Sequence, residues 1–156
     1  ESYLRYSKRS IDPFARNCQM ATVTNDMNPG TAAQHHMEAH EFLKTVQAPF
    51  DLAIYDPPYS PRQVKECYES IGLKMSYENT LHGKWRKKEK DLLAALMPVG
   101  AVFLCFGWNT CGMGIERGFE IEEILLVAHG ANHNDTICMA ERRIQKQDVL
   151  FHDTAT

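Results

Sequence analysis

The 156-residue chain has no CxxC pair, and its five cysteines (Cys18, Cys67, Cys105, Cys111 and Cys138) are scattered and odd in number. That excludes a disulfide framework and a zinc knuckle, and free thiols suit a reducing, cytoplasmic setting. No apolar run is long enough to cross a membrane. The longest, around Leu92–Trp108, is broken by Pro98 and Gly100. A signal-peptide pattern is missing as well. Glu1–Tyr6 reads instead as the end of a helix, so residues upstream are expected. Positive charge is not in excess: 17 Lys and Arg stand against 20 Asp and Glu, a formal net charge of −3. Any contact with nucleic acid must therefore come from a local patch or a partner. Repeats and low-complexity segments are absent. His36 with His40, and His129 with His133, have the i, i+4 spacing of a metal pair, but no third ligand accompanies either pair and no metal is expected.

What is there is ordinary in amount and ordered in pattern. A hydrophobic content of 44% and a charged content of 24% fit one globular domain spanning residues 1–156. Helix and strand signals alternate, which predicts an α/β fold with a mainly parallel sheet. Strands are expected over Ser10–Phe14, Ala21–Thr24, Phe50–Tyr55 and Ala101–Phe106, with a brief edge strand near His36-Met37. Helices are expected over Glu41–Gln47, Pro61–Ser70 and Lys84–Met97, the second capped by Ser60 and opened by Pro61. Ile121–Val127 and Thr136–Glu141, joined by the turn-rich His129–Asp135, read as a C-terminal antiparallel hairpin.

Ligands of open α/β sheets bind outside the carboxyl ends of the strands. Those ends carry Asp12, Asp26, Glu38 and Asp56. Like charges gathered on one rim repel, so a ligand rich in hydroxyls and amines would account for them. S-adenosyl-L-methionine has a ribose diol, an ammonium, a sulfonium and an adenine amine. The sharpest signal is Asp56-Pro57-Pro58-Tyr59. Two consecutive prolines fix the backbone and remove two N–H donors, which leaves the Pro57 carbonyl and the Asp56 carboxylate as acceptors for the two hydrogens of one –NH2 group. Tyr59 offers a ring face to a flat heterocycle.

The segment Asp51–Tyr59 resembles the catalytic motif of the amino-methyltransferases, the S-adenosylmethionine-dependent family that makes N6-methyladenine in DNA. The resemblance covers roughly residues 10 to 142, in family order. Ile11-Asp12-Pro13-Phe14-Ala15 resembles the first cofactor motif and Asn25-Asp26-Met27-Asn28 the acidic end of strand two, which in the family holds the ribose. Glu38-Ala39-His40-Glu41-Phe42-Leu43 resembles the motif facing the cofactor's adenine. Phe106-Gly107-Trp108-Asn109 and Asn132–Thr136 fall where later motifs shape the target pocket. The chain is most similar to small phage- or prophage-type forms. The resemblance implies a Rossmann-like class I methyltransferase fold and S-adenosyl-L-methionine as cofactor. Its cofactor-binding residues would be Asp12, Pro13, Phe14, Asp26, Asn28, Glu38, Ala39 and Asp56, and its catalytic residues Asp56, Pro57, Pro58 and Tyr59. The target adenine would be flipped out of duplex DNA or taken from a single strand. Cytosine N4 in DNA and adenine in RNA remain open as targets, as does a non-catalytic subunit that binds nucleic acid or a partner.

Two features depart from the family. The turn Phe14-Ala15-Arg16-Asn17 has no glycine, and no reader domain of the usual size is present. The polar stretch 72–90 is the insertion available to touch nucleic acid. In and around it Arg62, Lys65, Lys84, Trp85, Arg86 and Lys87 are candidate contacts, against the alternative of a solvated helix face. A domain without a reader is also a candidate homodimer.

Overall fold

The computed structural model describes residues 2–74, 83–130 and 134–145. Residues 75–82 of the expected insertion, the side chains of Lys84 and Trp85, and the hairpin residues 131–133 lie outside the described residues.

Six strands form one sheet. They are β1 (Ser10–Asp12), β2 (Val23–Thr24), β3 (Leu52–Tyr55), β4 (Val102–Gly107), β5 (Phe119–Val127) and β6 (Thr136–Arg143), in the order β2-β1-β3-β4-β6-β5. The first four run parallel; β6 is antiparallel to β4, and β5 is antiparallel to β6. The all-apolar run Leu52-Ala53-Ile54-Tyr55 becomes β3, buried along its whole length in the middle of the sheet, as a strand covered on both faces requires. After β2 the chain returns past β1 to start β3 on the other side. The strand order therefore reverses beside β1, and a crevice opens there.

The helices are α1 (Ser2–Tyr6), α2 (Ala39–Thr45), α3 (Pro61–Ser70) and α4 (Gly83–Leu96). Phe42 and Leu43 of α2 and Leu93 of α4 join Phe50, Tyr55, Met97, Phe103 and Phe119 in the main core. A smaller cluster of Leu52, Val102 and Ala140 is covered by Tyr3 and Leu4 of α1.

Three differences from expectation bear on the cleft. The strand near His36-Met37 is not formed; a single parallel bridge joins Asn25 to His35 instead. The side chain of Asn25 takes over there: its Nδ2 donates to the Met37 carbonyl (3.0 Å) and its Oδ1 accepts from the Met37 N–H (3.0 Å), so the strand ladder is replaced by a side-chain knot. β1 stops at Asp12 rather than Phe14, because Asp12 Oδ1 accepts from the Phe14 N–H (2.9 Å) and turns the chain. α2 starts at Ala39, two residues before the expected Glu41, and ends at Thr45.

Candidate active site

The crevice at the carboxyl ends of β1, β2 and β3 is a cleft of about 530 Å³. Its floor and one wall come from the loops after β1 and β2 and from the entry to α2. They bring together Pro13, Phe14, Asp26, Asn28, Glu38 and Ala39. The opposite wall comes from the turn after β3, with Asp56, Pro57 and Pro58, and from Arg86 and Glu89 of α4. Helix α3 closes one side with Val64, Cys67 and Tyr68.

Each acid of the rim is held differently. Asp26 accepts from two backbone groups, the Arg16 N–H (3.1 Å) and the Asn28 N–H (2.8 Å). Its carboxylate thereby ties the loop after β1 to the end of β2. Glu38, at the N-terminal boundary of α2, accepts from the Tyr68 hydroxyl of α3. Burial raises the Tyr68 phenol well above its ordinary value, and Glu38 adds to the rise, so Tyr68 stays a donor. Asp12 does not line the cleft. It is buried behind Pro13 and Phe14, and this burial raises its carboxyl from 3.8 to about 7 against the opposing pull of the Phe14 N–H; Asp56 and Asp26 add like-charge repulsion.

The loop after β1 departs from a glycine turn in a visible way. Arg16 has φ +50°, in the left-handed region that costs a side-chain-bearing residue roughly 1–2 kcal/mol. The loop is held by Asn25, which is wholly buried. The Ala15 N–H donates to the Asn25 carbonyl (2.9 Å), and Asn25 Nδ2 donates to the Pro13 carbonyl (3.1 Å).

In the turn after β3, Pro57 is buried and Asp56 exposed. The Tyr59 hydroxyl donates to Asp56 Oδ1, and the phenol lies well above its ordinary value through burial first and Asp56 second. Tyr59 is not a wall of the cleft. Its ring sits beside that of Trp108, centroids 5.6 Å apart and planes tilted by 55°. The Tyr59 N–H donates to Gln63 Oε1 (2.6 Å) while the Gln63 N–H donates to Ser60 Oγ (3.2 Å). This reciprocal cap sets where α3 begins.

Among the described residues of α4, the basic side chains differ in what they meet. The Arg86 guanidinium donates to the Pro58 carbonyl, which ties α4 to the Asp56–Tyr59 turn. One turn on, the Lys90 ammonium donates to the Cys111 and Gly112 carbonyls. Between them Glu89, 6% exposed, accepts from the Tyr55 hydroxyl at 2.6 Å. Its carboxyl is raised by burial, and Tyr55 works against that rise. Lys87 is exposed on the same helix. On α3, Arg62 pairs with Glu66 (2.7 Å) and Lys65 with Glu69 (3.6 Å), all four exposed. Among the described residues no group of His, Cys, Asp or Glu could hold a metal, and no helix is long and apolar enough to cross a membrane.

Sequence reasoning missed Asn25, Tyr68, Glu89 and Glu141. The last is buried in β6 and accepts from the Met113 N–H (2.6 Å) and the Gly114 N–H (2.8 Å), fixing the loop after β4. Gly112 leaves room for it: a Cβ there would stand 1.9 Å from Glu141 Oε2. Glycine at 112 was the visible signal, but its partner lies far along the chain, in the last strand.

No protein-family model and no curated protein sequence matches the chain. Solved structures do. An rRNA methylase from Streptococcus thermophilus superposes at a TM-score of 0.52 and 11% identity, over 87% of this chain and 86% of that one. The N-methyltransferase NodS from Bradyrhizobium japonicum does so at 0.53 and 9%, over 89% and 87%. NSun6 from Pyrococcus horikoshii, solved with SFG, reaches 0.57 at 12% identity over 93% of this chain, which spans half of that longer protein. The fold is the Rossmann-like fold of the class I methyltransferases. In that fold the carboxyl-edge crevice described above is the natural place for a ligand, and the C-terminal antiparallel pair β5–β6 matches the hairpin expected from the sequence.

Proposed function

We propose that the chain transfers a methyl group from S-adenosyl-L-methionine to the exocyclic N6 amine of adenine in DNA. One observation carries this reading: a single cleft joins Asp26 and Glu38 to the Asp56-Pro57-Pro58 turn. A volume of about 530 Å³ lies in the range of small-molecule sites. The donor set also fits the cofactor. Asp26 and Asn28 would hold the ribose hydroxyls, Glu38 and Ala39 the adenine edge, and Pro13 and Phe14 the bottom of the cleft. When bound, the cofactor supplies an electrophilic methyl group on sulfur. That the similar structures include methyltransferases solved with SAH or SFG supports the assignment.

The chain's own residues then act on the target amine. The Asp56 carboxylate and the Pro57 carbonyl accept its two hydrogens and leave the nitrogen lone pair free to attack. Among the described residues no donor reaches the Pro57 carbonyl, whereas Arg86 occupies that of Pro58. Tyr59 orients Asp56 through its hydroxyl, and its ring lies beside that of Trp108, aromatic surface on which a planar base would stack. Catalysis is mainly positioning and electrostatics. Adenine in RNA is the second reading, favoured by the likeness to an rRNA methylase.

The test is mass spectrometry of nucleosides from DNA and RNA incubated with the chain and cofactor. N6-methyldeoxyadenosine is the expected product. Asp56→Ala should lower transfer by at least about 100-fold while cofactor affinity by calorimetry changes by no more than about threefold. Full activity in Asp56→Ala would remove the assigned site. A wild-type chain that binds cofactor yet methylates neither nucleic acid would remove the enzymatic reading.

A further inference from the structure

Strand β5 is the last strand of the sheet, and it is nine residues long. Its inner side pairs with β6, and its outer row of N–H and C=O groups joins no other described strand. Phe119 at its start joins the main core and Glu123 meets Tyr3 of α1, but most of its contacts are with β6 and the short turn Ile115–Arg117. From Glu120 to Leu126 every residue is exposed. Ile121, Ile124, Leu125 and Leu126 are each more than half exposed. A free edge is a template for pairing with another chain, and proteins blunt such edges with charge, proline, short length or a bulge. Here the protection is confined to the first half of the strand. Glu120, Glu122 and Glu123 lie there, with a bulge between Ile121 and Glu123. The run Ile124-Leu125-Leu126-Val127 has neither charge nor proline.

This division makes the strand complementary to itself in one direction only. Laid parallel and in register on a copy, each acid would face the same acid, which is destabilising. Laid antiparallel about a two-fold axis through Ile124, Glu123 faces Leu125, Glu122 faces Leu126, and Ile121 faces Val127. No acid then opposes an acid, and Ile124 meets Ile124. The acids are also held away from the edge by their own chain. Glu122 is bound by both ends of the Arg142 guanidinium (2.6 and 2.8 Å), and Glu123 accepts from the Tyr3 hydroxyl (3.1 Å). A contact in which the same patch serves both subunits is what a closed two-fold dimer requires.

We infer that a second copy of this chain covers β5, joining the two sheets into one through an antiparallel β5–β5 pair. The carboxyl edges of the two sheets then point in opposite directions, so the two clefts open on opposite sides of the dimer. One duplex does not run past both, and each cleft works alone. This inference stands independently of the reaction proposed above.

Sedimentation velocity on the wild-type chain, from low to high micromolar concentration, tests it. The expected species has twice the 17.8 kDa mass of the chain. Leu125→Glu places two new acids against the Glu123 side chains of the partner copy and should weaken association by roughly 100-fold or more. Leu125→Lys places two ammonium groups there and should keep the dimer. Residue 125 is 57% exposed, so neither variant disturbs the core, and coincident urea unfolding of the two variants, diluted until each is monomeric, checks this. A wild-type chain that stays monomeric at high micromolar concentration overturns the inference. So does a dimer that survives Leu125→Glu, and so does equal dissociation by Glu and Lys, which would rule out the antiparallel register.

Discussion

At the scale of single residues, Asp12 shows how burial and charge compete at the head of the cleft. Its carboxyl titrates at 3.8 when exposed and at about 7 in the fold, because burial outweighs the help from the Phe14 N–H. The folded chain therefore keeps this proton across a window in which the unfolded chain has lost it. Stability from neutral Asp12 is present in full below 3.8 and is lost as pH rises through about 7. A tenfold change in proton affinity corresponds to about 1.4 kcal/mol, so the ionised form costs the fold on the order of a few kcal/mol above that point. Asp12→Asn keeps an oxygen for the Phe14 N–H and removes the charge. Urea unfolding at several pH values should find the variant more stable than wild type by about 1–3 kcal/mol at pH 8 and no more stable at pH 4. A wild-type profile that does not fall relative to Asp12→Asn between those values would show that Asp12 is already ionised in the fold at pH 4.

At the scale of elements, α4 does more than cover the sheet. Arg86, Glu89, Lys90, Leu93 and Met97 recur at spacings of three and four. They run from the Asp56–Tyr59 turn, past Tyr55 and the loop after β4, into the core. One stripe of side chains thus sets the distance between the Asp56–Tyr59 turn and the loop after β4, the two loops that would frame the proposed target. Arg86→Ala removes the brace on the Pro58 carbonyl without touching the core. Transfer should fall by roughly 10–100-fold in kcat, with cofactor affinity unchanged and Arg86→Lys intermediate. A loss confined to KM for the nucleic acid would return Arg86 to the role of a phosphate contact. Much of this architecture was legible beforehand. The apolar run before Asp56 is β3, Ser60 and Pro61 start α3 where a cap and a first-turn proline must, and the turn-rich His129–Asp135 separates β5 from β6. Of the acids expected at strand ends, Asp12 closes β1 and Asp26 and Asp56 follow β2 and β3 within two residues, whereas Glu38 follows no strand. The inward turn of Arg86 and Lys90 was not legible. Composition marks a charge run, but which members face a carbonyl depends on loops that approach from elsewhere in the chain. The missing strand at His36-Met37 was hidden for the same reason, because the Asn25 side chain supplies the hydrogen bonds that a ladder would have made.

For the molecule as a whole, the disposition of charge limits how it can meet DNA. The net charge is −3, and many basic groups are already committed. Arg117 pairs with Asp91 (2.7 Å), Arg142 with Glu122, and Arg143 donates to the Ala94 and Met97 carbonyls. Arg62 and Lys65 face neighbouring acids, and Arg86 and Lys90 face carbonyls. The described surface leaves Arg5, Lys8, Lys74, Lys87 and Lys88 exposed and outside any ion pair, and non-specific binding, which grows with the number of phosphate contacts, should be modest. Extracting an adenine from a paired duplex costs a few kcal/mol, least where the base is unpaired. With modest binding energy to offset that cost, unpaired adenine should be the better substrate. Methyl transfer to adenine in a single strand, or opposite a mismatch, should exceed transfer to the same adenine in a matched duplex by about tenfold or more in kcat/KM. Equal rates on matched and unpaired substrates would mean that side chains beyond those lining the cleft open the duplex, and the modest free positive charge would then not limit the reaction.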